Sequence, residues 1–118
     1  MNKFFIFLLF PLGLFAQNTF ERAESYFKKE EFSKAKPLFI QHLKVNPNDL
    51  KTIEYLGDIA GYAKDWDTAM EYYETLLESD DNNAKYHFKY GGALGMKALE
   101  ISKIRALGYG GDIKEQFE

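Results

Sequence analysis

The chain has 118 residues, 46% of them hydrophobic and 28% charged, with a formal net charge of −3 and no cysteine. This is an ordinary globular composition with room for one domain at most. The missing cysteines exclude a disulfide scaffold and a lipid-modified cysteine, and the acidic balance argues against nucleic acid, whose binders carry a basic patch.

The N-terminus departs from this average. Asn2 and Lys3 precede an apolar run from Phe4 to Phe15, interrupted by Pro11 and Gly13 and followed by Ala16 and Gln17. A basic start, an apolar core of about 7 to 15 residues and a small residue before the cut mark a secretory signal peptide. A membrane anchor needs about 20 apolar residues, and Gln17, Asn18 and Glu21 end the run too early for one. Residues 1–16 are therefore read as a signal peptide. The mature chain, 17–118, is expected to be exported to the periplasm or cell envelope, or secreted, without stable membrane insertion. Cleavage removes Lys3, one of 15 basic residues, and leaves 14 against 18 acidic ones, a formal charge of −4.

From Thr19, a plausible N-cap, Phe20, Ala23, Tyr26 and Phe27 fall at spacings of three and four, one face of a helix. Lys28, Lys29, Glu30 and Glu31 break that stripe and turn the chain. A second helix carries Phe32, Ala35, Leu38, Phe39, His42 and Leu43, with Ser33 as its expected N-cap, and Asn46, Pro47 and Asn48 stop it. Pro37 then falls in or just beyond the first turn, where a missing N–H costs least. Asp49 is placed to cap a third helix with Ile53, Leu56, Gly57 and Ala60 on its apolar face. A fourth follows Asp65, Trp66 and Asp67 with Ala69, Met70, Tyr73, Leu76 and Leu77, and is broken by Ser79, Asp80, Asp81, Asn82 and Asn83.

The same residues recur at one distance. Gly57, Trp66, Ala69 and Tyr73 stand 34 positions after Ala23, Phe32, Ala35 and Phe39, and Gly91 stands 34 after Gly57. A period of 34 means stacked helical hairpins. Small residues are needed where two antiparallel helices cross closely, here Ala23 with Ala35 and Gly57 with Ala69, while large aromatics beyond the crossing fill the wedge between one pair and the next. Through Leu56-Gly57 with Tyr62, and Trp66 with Ala69 and Tyr73, the chain resembles the tetratricopeptide repeat family. It departs from that pattern at Ala60, Asp81 and His42, where the family places a Tyr, a Pro and an Ala.

The resemblance implies an all-α fold, a right-handed superhelix of antiparallel hairpins, in repeats of about 17–48, 49–82 and 83–118. The last repeat is atypical. A fifth helix starting at Asn83 or Ala84 keeps the period to Gly91, but Glu100 and Lys103 stand where an aromatic and an Ala should recur. Leu94, Ala98, Ile101, Ile104 and Leu107 instead continue one apolar stripe to about Leu107. Gly108 is expected to cap it, Tyr109, Gly110 and Gly111 to form a turn, and Asp112 to cap a short helix with Ile113 and Phe117. Helices that short are marginal alone, and solenoids close with a polar capping helix, so the chain reads as the N-terminal portion of a longer repeat protein.

Chemistry is sparse. Gly91, Gly92 and Gly95 are followed by Met96, Lys97 and Ala98 rather than the Lys-Ser/Thr of a phosphate loop, so close helix packing is the better reading. His42 and His87 fall on faces expected to be buried, with no Cys beside them. The Asp65/Asp67 and Asp80/Asp81 pairs read as helix caps, without the ligand ladder of a calcium loop. No catalytic residue, cofactor or metal is expected.

Function then rests on the resemblance, in which first helices line a concave groove that takes an extended peptide or a partner helix. That groove would present Phe20, Glu24, Phe27, Lys28, Lys51, Glu54, Asp58, Tyr62, Lys85, Phe88 and Met96. Lys51 and Lys85 mimic part of a carboxylate clamp, but Glu54 and Asp58 oppose them. The alternative is a structural part of an envelope assembly, self-associating or stacking on further repeats through the C-terminal helices, and exposed Ile101, Ile104 and Leu107 would be its mark.

Overall fold

A computed structural model of the chain describes the backbone of residues 18–117 and side chains as far as residue 108. The expected signal peptide and its cleavage point before Gln17 lie outside the described residues. All regular structure among the described residues is helical: α1 (18–28), α2 (Phe32–Val45), α3 (Leu50–Tyr62), α4 (Trp66–Ser79) and α5 (Ala84–Phe117). The chain divides into two compact units between Ile59 and Ala60, within α3.

The period of the sequence is also a period of the backbone. Helices α2 and α4 start 34 residues apart at Phe32 and Trp66 and end 34 apart at Val45 and Ser79, while α3 and α5 start at Leu50 and Ala84. The turns between helices repeat bond for bond. After α1, Glu30 takes φ 60°, and the N–H groups of Glu31 and Glu30 donate to the carbonyls of Tyr26 and Phe27, each at 2.9 Å. After α3, Lys64 takes φ 60°, and the N–H groups of Asp65 and Lys64 donate to Ala60 and Gly61 at 2.9 and 3.0 Å. Both are Schellman caps, which satisfy carbonyls that a helix end leaves without partners. Each occupies the left-handed position with a residue other than glycine, against a steric cost.

Two expected caps are displaced. Glu31, not Ser33, is the N-cap of α2, without a side-chain cap bond. The turn already delivers the Glu31 carbonyl to the Ala35 N–H at 3.1 Å, so helical bonding begins before Ser33. Pro37 consequently lies in the second turn of α2, on its exposed side. Thr19 lies inside α1, because the backbone is already helical at residue 18. Asp65 does cap α4, its carboxylate accepting from the Thr68 N–H at 3.3 Å. Asp67 in the first turn suits the positive end of the helix dipole.

In the first unit the core is Ala23, Ala35 and Phe39, all fully buried, with Ile53, Leu56 and Ile59 from α3. Phe39 stacks on Tyr55 with ring centroids 4.7 Å apart and 17° between planes, which fastens α2 to α3. The buried Thr52 hydroxyl donates to Asp49 at 2.7 Å, closing the first turn of α3. In the second unit α4 packs along α5, and Ala69, Tyr73, Leu76, Tyr86 and Ala93 are buried. The start of α4 meets α5 through the Trp66 indole N–H, which donates to Glu100 at 3.1 Å, and through an ion pair of Asp67 with Lys97.

Two further expectations are corrected. His87 is exposed rather than buried, because Tyr86 takes the place facing α4 and the next residue rotates about 100° away. Its Nε2 donates to the Asp81 carbonyl. Helix α5 does not end at Gly108 but runs unbroken through Gly108–Gly111 and Asp112 to Phe117. No described glycine has positive φ, so Gly108 makes no left-handed cap. A glycine inside a helix costs about 1 kcal/mol relative to alanine, which does not stop a helix whose backbone bonds continue. The side chains of Ile113 and Phe117 lie outside the described ones.

Candidate protein-binding surfaces

The residues expected to line a groove fall into two sets, one in each unit. In the first unit, Phe20 and Phe27 of α1 are only half-exposed, because they are edges of an aromatic cluster. Phe20 meets Phe39 at 5.9 Å and Tyr55 at 6.1 Å between centroids, and Phe27 meets Tyr55 at 4.6 Å and Phe32 at 5.3 Å. Their rings lie tilted or edge-on, an arrangement aromatic quadrupoles favour, and they form part of the wall between α1, α2 and α3.

Charged residues sit on the rim of this cluster. The Tyr55 hydroxyl donates to Glu24 at 2.6 Å, Lys51 pairs with the same carboxylate at 3.2 Å, and Lys28 reaches it at 3.8 Å. Lys51 also lies over the Phe20 ring, 5.6 Å from its centroid. The Tyr55 bond holds the Glu24 carboxyl below its ordinary range; burial opposes the shift, and Lys51 and Lys28 assist it. Burial and the Glu24 bond together push the Tyr55 hydroxyl well up. Phe20, Glu24, Phe27, Lys28 and Lys51 thus form one connected set, while Glu54 and Asp58 are half-buried on α3. Tyr55 belongs to the set although sequence reasoning passed over it, since its bond to a residue 31 positions away follows no motif.

The second unit differs in character. Tyr62 is 66% exposed, Phe88 80% and Met96 44%, and Lys85 lies over the Tyr86 ring at 5.6 Å. Beyond them on α5, Leu94, Leu99, Ile101, Ile104 and Leu107 are also exposed. Ile104 and Leu107 lie on the same face of the helix as Tyr86, Ala93 and Lys97. They therefore continue past Trp66 the surface that α4 covers.

Among the described residues no three His, Asp or Glu side chains stand close enough to hold a metal ion, and none of the helices is long and apolar enough to cross a membrane. A surface depression of about 410 Å³ is lined by His42, Val45, Asn46, Pro47, Asn48 and Asp49. At its edge His42 Nε2 lies 3.0 Å from the Asp49 carboxylate. That pair ties the end of α2 to the start of α3. Compared with models of known protein families the chain matches none, and it matches no curated protein either.

Proposed function

We propose that the chain is a non-catalytic protein–protein interaction scaffold, exported after loss of residues 1–16. Its tetratricopeptide-like hairpins stack into a right-handed superhelix and hold an extended peptide or a partner helix. The observation that carries this reading is the apolar surface of the second unit, where Tyr62, Phe88, Leu94, Leu99, Ile104 and Leu107 are each about half exposed or more. Tyr62 closes α3 and the others stand on α5, Phe88, Leu94 and Leu99 on one side of it and Ile104 and Leu107 on another. Exposed apolar side chains that adjoin mark an interaction surface, and buried aromatics dominate the affinity of such surfaces. Charge adds little selection, since Lys28, Lys51 and Lys85 are balanced by Glu24, Glu54 and Asp58.

A second reading, a structural role in an envelope assembly through end-to-end stacking, is favoured by one specific observation. Ile101 is 40% exposed, Ile104 63% and Leu107 78%, on a stretch of α5 that α4 does not reach.

The test is capture of a partner from an envelope extract by the mature chain. The double variant Tyr62→Ala with Phe88→Ala is expected to lose the partner and keep its helical circular dichroism, while Glu71→Ala on the exposed side of α4 retains it. A partner held as tightly by the folded double variant counts against groove binding. If Ile104→Glu with Leu107→Glu releases it instead, stacking takes its place.

A further inference from the structure

Positions 27, 61 and 95 are one place in three successive repeats, in α1, α3 and α5. Phe27 meets Phe32 and Phe39, at 5.3 and 6.5 Å between ring centroids. A Cβ built on Gly61 would lie 3.8 Å from Trp66 and 3.9 Å from Tyr73. In both repeats this place is walled by two aromatics, five and twelve positions on, carried by the helix that follows. At Gly95 a Cβ would meet nothing within 4 Å. The residues at the same offsets are Glu100 and Leu107, which belong to α5 itself. Gly91 tells the same story: its counterparts Ala23 and Gly57 are buried, whereas Gly91 is exposed with nothing within 4 Å.

The uncovered face is apolar. Phe88, Gly91, Leu94, Gly95 and Ala98 fall within an arc of about 120° on a 3.6-residue helix, and all five are exposed. Lys89 and Lys97, the charged residues of this stretch, lie outside that arc. Two glycines flanked by Phe88 and Leu94 admit a second helix at the short end of the usual 8–10 Å axial separation.

We infer that this face of α5 docks one amphipathic helix of a partner protein, bearing the pattern aromatic-x-x-Ala-x-x-x-aromatic. The inference rests on the scaffold reading above and names the chemistry of its partner. The repeat itself specifies the pattern, because α2 with Phe32, Ala35 and Phe39, and α4 with Trp66, Ala69 and Tyr73, are the helices that wall positions 27 and 61. A second copy of the chain is a poor source of it. Phe39 and Tyr73 are buried within each copy, and α5 offers Glu100, Lys103 and Leu107 at the corresponding places.

The test uses a fluorescently labelled synthetic peptide with the α4 sequence, residues 65–80, titrated into the full chain. Saturable binding is expected, and Gly95→Leu is expected to weaken it about tenfold, the ratio that about 1.4 kcal/mol represents. The thermal midpoint should hold or rise, since the added side chain enters open space and leucine favours a helix more than glycine. A peptide with Trp66→Ala and Tyr73→Ala should not bind. No saturable binding, or equal affinity for Gly95→Leu, overturns the inference, the latter because the peptide then binds elsewhere or displaces α4. A dimer in sedimentation that Gly95→Leu abolishes also overturns it, in favour of self-association. If a partner captured from extract is lost by the Tyr62 and Phe88 double variant but kept by Gly95→Leu, helix docking falls and the scaffold reading stands. If no variant of the second unit affects capture, the second unit as the binding surface falls with it.

Discussion

Replacing Tyr55 with Phe removes one oxygen and leaves a ring that still stacks on Phe39 at 4.7 Å and meets Phe27 at 4.6 Å. What is lost is the 2.6 Å bond to Glu24. A hydrogen bond to a charged group contributes about 1.5–3 kcal/mol. Here the carboxylate keeps Lys51 and Lys28 and the site is half-open to water, which brings the loss to the lower limit of that range or just below it, at about 1–1.5 kcal/mol. The sign of its pH dependence follows from Glu24. A carboxyl held below its ordinary value of 4.5 contributes stability that is present above that value and disappears as pH falls through the lowered one. Urea unfolding of wild type and Tyr55→Phe should therefore differ by the full amount at neutral pH and converge in acid as the carboxylate becomes neutral. Equal midpoints at neutral pH, or a gap that persists undiminished in acid, would refute the role given to this bond.

The other predictions concern packing, caps and the free end. Phe39→Ala, at a fully buried ring, should cost about 3–5 kcal/mol by leaving a cavity, and Ala69→Leu about 1–3 kcal/mol by overpacking; thermal melts within about 0.5 kcal/mol of wild type would contradict both. Lys64→Gly should stabilise by about 0.5–1 kcal/mol, because glycine takes φ 60° without steric cost and gives back part of that gain as unfolded-chain entropy; a lowered midpoint would mean the Lys64 side chain does more than occupy the turn. Amides of residues 101–108 should exchange faster than those of α4, since every one of these residues is exposed. The intact mass of exported protein should correspond to a chain beginning at Gln17, and retention of Phe4–Ala16 would sink the signal-peptide reading.

The hairpin pattern was legible in the sequence because two independent requirements repeat at one period: small residues at Ala23, Ala35, Gly57 and Ala69, and aromatics at Phe32, Phe39, Trp66 and Tyr73. Helix ends were less legible, for opposite reasons at the two kinds of turn. Glu30 and Lys64 occupy left-handed positions where glycine is the usual signal, so these Schellman turns carry no glycine mark. Gly108 carries that mark and stands inside a helix. Ser33 is a better cap than Glu31 by residue type, yet the turn before it had already fixed the first helical bond.

At the candidate surfaces, helical spacing assigned Phe20 and Phe27 to a face of α1 but not to their neighbours. Whether a face meets water or another ring depends on Phe39 and Tyr55, from helices distant in the chain. The open face at Gly91 and Gly95 was visible only in part. The sequence showed that Glu100 and Lys103 break the aromatic–alanine pattern, and the structure adds that the equivalent position in each earlier repeat is walled by that pattern.

The most direct measurement is amide chemical-shift mapping of the isotopically labelled chain as the residue 65–80 peptide is titrated in. The account predicts perturbations centred on Phe88, Gly91, Leu94, Gly95 and Ala98 of α5, with the resonances of α1 and α2 unmoved. Shifts centred on the depression between His42 and Asp49, or no shifts at all, would contradict it.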